Sequence, residues 1–169
     1  MIYWIFHDLV ASIFLRAGIG KYLGRRDFYW QLRASAGLNR RLAAVASYVI
    51  PGLELCVGIG FLMPVVGEIS AGFLAAAMLL VFTGYALWIT VTGRKIRCFC
   101  FGRDDGEIGW ATVLRNSLLL FAVALAAFSP AVRISMEAAL LSLIDGLTAS
   151  LLFVGVFQIL AMRKEFAKP

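Results

Sequence analysis

Charge is scarce in this chain. Only 15% of its 169 residues are Asp, Glu, Lys or Arg, and 62% are hydrophobic; a typical soluble domain carries roughly 25% charged residues. A soluble fold of this length leaves about 30% of its surface in water and has nowhere to hide that excess. The mean hydropathy of +0.87 agrees. A soluble enzyme, a disordered regulator and a nucleic-acid-binding module are all disfavoured on this ground. Cysteine is scarce too, and three residues are too few, and the wrong number, for a disulfide-stapled secreted scaffold. A single histidine, His7, leaves no room for bis-histidine haem within one chain. The expectation is an all-α, polytopic membrane bundle of four to five transmembrane helices, in one domain over residues 1–169.

A helix crossing hydrocarbon about 30 Å thick needs roughly 20 mainly apolar residues. Five stretches meet that need, at about 3–23, 42–67, 69–92, 110–128 and 134–162. Residues 69–92 carry no charge at all, and 42–67 hold only Glu54 and the Cys56 thiol as ionisable groups. The first stretch is the least tidy, with His7, Asp8 and Arg16 inside it. No basic residue precedes it, so a cleaved signal peptide is not expected. Between the first two spans lies a basic connection with helical character around Asp27–Leu32, broken at Gly37-Leu38-Asn39. Pro64 to Glu68 reads as a tight hairpin, and 93–109 is a second long loop.

With five spans, the loops after spans one and three share a side with the C-terminus. That side holds thirteen of the sixteen basic residues, including Arg25, Arg26, Arg40, Arg41, Arg94, Lys95 and Lys164. The positive-inside rule then puts it in the cytoplasm, which in a bacterium means the inner face of the plasma membrane. The net charge of +6 belongs to topology and anionic headgroups, and nucleic acid is not an expected partner.

Two of the three cysteines sit in the stretch Arg97-Cys98-Phe99-Cys100-Phe101-Gly102-Arg103. In an extended segment Cys98 and Cys100 share one face, and Phe99 and Phe101 the other. Thiols so placed can close a small, strained and therefore reactive disulfide ring. Arg97 and Arg103 flank the pair, and nearby cations favour the thiolate, which is both nucleophile and metal ligand. A structural zinc site needs four ligands, so no closed metal site is expected; a two-thiolate site at Cys98 and Cys100 for a soft ion such as Cu(I) is the metal alternative. Cys56 lies about 200° round its helix from Glu54 and reads as a packing residue.

Ionisable groups at bilayer depth are costly, so they pair and mark function. Pro51, Glu54 and Gly58 fall at i, i+3 and i+7, on one helix face. Asp8, Ser12, Arg16 and Gly20 form a four-residue stripe, and Ser142, Asp145 and Thr148 a three-residue one; both are expected to face the bundle interior. Arg16 is the expected partner of Glu54, with Arg115 second and Lys21 and Asn116 in the same basic half. His7 and Asp8 are expected at the interface.

These pieces together resemble a known family, the MauE/DoxX-like redox-associated membrane proteins. The resemblance rests on Leu15-Arg16-Ala17-Gly18-Ile19-Gly20-Lys21 leading to Phe28, on Pro51-Gly52-Leu53-Glu54-Leu55-Cys56-Val57-Gly58, on Cys98-Phe99-Cys100-Phe101-Gly102 and on Arg115-Asn116-Ser117-Leu118. It covers about residues 14–128, and the paired-cysteine-Phe-Gly loop is its most specific element. Phe99 departs from the pattern, which has a small residue there, often Gly. The resemblance implies a DoxX-like four-helix core, here with a further C-terminal helix, and a redox-active cysteine pair working with a thioredoxin-like protein. It also implies maturation of disulfide proteins on the outer side of the membrane, whereas the charge count places the cysteine loop inside.

The function expected is a membrane thiol:disulfide oxidoreductase in which Cys98 and Cys100 cycle between dithiol and disulfide. A membrane quinone is the candidate second redox partner, since it needs an apolar slot with a few polar groups, and the Glu54/Arg16/Arg115 region is the place expected for it. The alternatives are a soft-metal binder or transporter for Cu(I) or Hg(II), and a non-catalytic membrane assembly factor.

Overall fold

The computed structural model describes residues 2–62, 68–97, 107–128, 144–157 and 159. Cys98, Cys100 and Arg103, and the turn expected at Pro64, lie outside the described residues. Regular structure among the described residues is helical: α1 (Ile2–Leu23), α2 (Arg25–Ser35), α3 (Arg40–Leu62), α4 (Glu68–Val91), α5 (Trp110–Phe128) and α6 (Ile144–Phe157). The all-helical class is as expected. Among the described residues, two helices rather than four to five are long and apolar enough to cross a membrane, α3 and the Ser70–Val91 part of α4. The apolar parts of α5 and α6, Trp110–Ala126 and Ile144–Phe157, are shorter, and α1 is diluted by Asp8, Arg16 and Lys21.

Buried positions on α1 recur three, four and seven residues apart: His7, Val10, Ala11, Phe14, Ala17 and Lys21. On α3 the buried face is Ala43, Ser47, Pro51, Glu54, Val57, Gly58 and Phe61. Those two faces meet in the most extensive helix contact of the fold. Small residues make the approach close. A Cβ on Gly18 would stand 3.0 Å from the Pro51 carbonyl, and one on Gly58 would stand 2.6 Å from Leu15 Cγ and 3.1 Å from the Ala11 carbonyl. In hydrocarbon, where lipid tails are as apolar as Leu, such backbone proximity is a main source of helix association. The core continues through Ala75, Met78 and Leu79 of α4, Leu119 and Val123 of α5 and Val154 of α6. Outward, Phe73, Val81, Phe121 and Leu152 are each more than 60% exposed. A water-facing surface rarely carries such a ring of large apolar groups, and acyl chains suit it.

The helix ends follow from local chemistry. Asn39 Oδ1 accepts the Leu42 N–H at 2.8 Å and caps α3, just after Gly37 takes φ +62 and breaks the chain away from α2. At the other end of α4, the Arg94 N–H donates to the Ile89 carbonyl and the Gly93 N–H to the Thr90 carbonyl, with Gly93 at φ +67. This is a Schellman C-terminus, which turns the chain out of the helix towards the cysteine segment. That segment is pinned at its base. Arg97 and Glu107 face each other in an antiparallel bridge, and the Ile108 N–H donates to the Ile96 carbonyl at 2.8 Å. Ile108 packs with Ala86 and Ile89, so the base sits on the end of α4.

Candidate functional site

Lys21 ends the buried face of α1, and Glu54 sits halfway along α3. Lys21 Nζ donates to Glu54 Oε1 at 2.6 Å, and both side chains are almost wholly buried. The seven-residue recurrence on α1 drifts only about 20° per step and keeps Lys21 on the face of His7 and Phe14. A four-residue stripe drifts about 40° per step, so by Arg16 it has turned out of the bundle. Arg16 is exposed, and the ion pair expected for it is made by Lys21. The rings of Phe28 and Phe82 lie 5.9 Å and 6.0 Å from Lys21 Nζ, where their electron-rich faces favour the ammonium.

Lys21 and Glu54 line a cavity of about 270 Å³ bounded by α1, α2, α3, α4 and α5. Its walls are apolar, from Phe14, Phe28, Phe82, Leu79 and Leu119 among others. Arg115 and Asn116 line the same space and are buried on the inner face of α5. Four of the residues expected from sequence, Lys21, Glu54, Arg115 and Asn116, therefore share one chamber, and Arg16 is not on its wall.

Four polar side chains of the chamber, Gln31, Ser35, Tyr85 and Thr112, are not marked by the sequence, and two of them bear on the site. Tyr85 lies in the charge-free stretch 69–92, and its buried hydroxyl has no hydrogen-bond partner among the described residues. A tyrosine in the middle of an apolar span was the available signal. Gln31 sits on the basic α2 with nothing in its neighbours to mark it. It lines the chamber, and its Nε2 donates to the Arg97 carbonyl at 2.8 Å. Arg97 is itself exposed and immediately precedes Cys98. Ile108, at the other foot of the cysteine segment, lines the chamber as well.

The far end of the bundle corrects three further expectations. His7 is fully buried rather than interfacial, with Nε2 3.3 Å from the Ala126 carbonyl and its ring edge-on to Phe61. Asp8 is buried too, because Gly146 of α6 lets the two helices meet: a Cβ there would run into Asp8 Cβ and its backbone. Ser12 Oγ, one turn on, donates to the Asp8 carbonyl. Asp145 and Thr148 are exposed, and Gly146, Ser150 and Val154 face inward instead; Ser142, the first residue of the expected stripe, lies outside the described residues. Cys56 faces outward, opposite Glu54 as its spacing requires, and is exposed on the bundle surface rather than packed in the core. Among the described residues no three His, Cys, Asp or Glu side chains gather as a metal site.

A family profile described as methylamine utilisation protein MauE matches residues 1–129. The methylamine utilization protein MauE of Paracoccus denitrificans is 31% identical over 159 residues, which cover 91% of this chain and 84% of that protein. No solved structure matches the chain. The profile takes in α1 to α5 and every residue on the chamber wall, and the chain accordingly belongs to the MauE family of membrane proteins.

Proposed function

We propose that this chain is a membrane thiol:disulfide oxidoreductase that passes electrons between the Cys98–Cys100 pair and a quinone held in the chamber. A thioredoxin-like protein exchanges disulfides with the pair from the aqueous side. The observation that carries this reading is the shared wall: Gln31 faces the chamber and holds the Arg97 carbonyl, so the residue before Cys98 is fastened to the chamber's edge. The chamber offers what a quinone head needs, apolar surface with a few convergent polar groups. Arg97 and Arg103 favour the attacking thiolate. Lys21, Glu54, Arg115 and Asn116 orient the ring, and lipid supplies the surrounding phase. The basic side, with the cysteine pair, faces the cytoplasm of a bacterial inner membrane. The Paracoccus denitrificans relative is named for methylamine utilisation, and the proposal extends the same process to this chain.

The test is an alkylation mass-shift titration of Cys98 and Cys100 across a range of redox poises, with and without added quinone. The pair interconverts as one two-electron couple and shifts towards disulfide when quinone is present. A pair that is never joined at any poise overturns the proposal.

A further inference from the structure

The polar groups of the chamber are unevenly matched. Glu54 is 2% exposed, and while Oε1 takes the Lys21 ammonium, Oε2 has no hydrogen-bond partner among the described residues. Gln31 Nε2 donates to a carbonyl, which fixes the orientation of the amide. The other end, Oε1, is therefore an acceptor, and it too is buried and without a partner. The Tyr85 hydroxyl is unpartnered as well, but it donates or accepts and so discriminates between no ligands. Two buried acceptors on one apolar chamber suit a ligand that brings hydrogen-bond donors, while Lys21, Arg115 and Asn116 on the same wall can donate to its oxygens.

We infer, resting on the quinone reading above, that the chamber holds the hydroquinone in preference to the quinone, with Glu54 Oε2 and Gln31 Oε1 accepting from its hydroxyls. A hydroquinone presents two O–H groups. A quinone presents carbonyls, which only accept, and leaves both protein oxygens desolvated and unpaired. Phe14, Phe28 and Phe82 supply flat apolar surface for the ring in either state. The preference favours electron transfer from the thiols to the bound quinone. Tighter binding of the reduced form raises the potential of the bound quinone, by about 30 mV for each tenfold in affinity of a two-electron couple. The thiols of Cys98 and Cys100 then give up two electrons and two protons and join through one S–S bond. The quinone takes both electrons and both protons and becomes hydroquinone. On the protein, the bound quinone thus acts as the oxidant of the dithiol, and the net flow follows the potentials of the free quinone and of the partner's thiols.

The experiment is equilibrium dialysis of the full chain in nanodiscs against 2,3,5-trimethylhydroquinone or its quinone under argon, with empty nanodiscs subtracted. The hydroquinone binds at least about tenfold more tightly. Glu54→Gln, which removes the charge from the acceptor, lowers that ratio by about tenfold. Gln31→Met keeps the side-chain length, leaves the ion pair alone and also lowers the ratio by severalfold, about fivefold. Equal binding of the two forms, or tighter binding of the quinone, overturns the inference and leaves the quinone reading standing. Binding of neither form above empty nanodiscs overturns both. A hydroquinone preference unmoved by either substitution overturns the assignment to Glu54 and Gln31.

Discussion

Lys21 on α1 and Glu54 on α3, thirty-three residues apart in sequence, meet at 2.6 Å inside the bundle. Two charges removed from water stabilise a fold only when each answers the other, so breaking the pair costs more than replacing it. Glu54→Leu or Lys21→Met alone lowers stability by about 3–5 kcal/mol, whereas Lys21→Met/Glu54→Leu recovers most of the loss. Thermal unfolding of the four proteins in one detergent, closed as a double-mutant cycle, checks this. The double variant remains inactive in quinone reduction, which separates the redox role from the structural one.

Close contact between α1 and α3 rests on missing side chains. Gly58→Ala drives a methyl into Leu15 Cγ and the Ala11 carbonyl, and destabilises by about 1–3 kcal/mol. Gly52, one and a half turns earlier on the same helix, has open space where its Cβ would be. Gly52→Ala therefore raises stability, by up to about 1 kcal/mol from helix propensity. Chemical unfolding of the two variants side by side reads the difference.

Topology is open to direct labelling. After reduction, a membrane-impermeant maleimide modifies Cys98 and Cys100 in inverted vesicles and not in intact spheroplasts. Cys56, on the outward face of α3, stays unmodified in both because acyl chains cover it. Peptide mass spectrometry assigns each site, and labelling of the pair from the outer side reverses the orientation.

Gln31→Ala removes the bond to the Arg97 carbonyl without touching the core. A hydrogen bond of this kind is worth about 1 kcal/mol, so the base of the cysteine segment opens roughly fivefold more often. Hydrogen exchange at the Ile108 amide, which donates to Ile96 across that base, speeds up by the same factor. Exchange at Val57, deep in α3, does not change.

Much of this arrangement was legible in the sequence, and its failures share one cause. Pro51, Glu54 and Gly58 share a buried face as their spacing requires, and Arg115 and Asn116 line the chamber with Glu54. Arg16, Asp145 and Thr148 are expected inside because polar residues recur around them every four or three positions, but such spacing does not fix which face is buried: on α6 that face carries Gly146, Ser150 and Val154. The seven-residue recurrence from His7 to Lys21 follows the face far better. Burial of His7 and Asp8 was not legible, because it depends on Gly146 from the far end of the chain. Gln31 escaped for a related reason: its meaning lies in a carbonyl sixty-six residues away.

The bridge between Arg97 and Glu107 separates two evolutionary tasks. With both feet of the cysteine segment fixed at one spot, extra residues inserted between them cost only closure entropy, about 0.6 kcal/mol for each doubling of length. The length of the segment is thereby uncoupled from the chamber, whose wall at Gln31 and Ile108 keeps its shape.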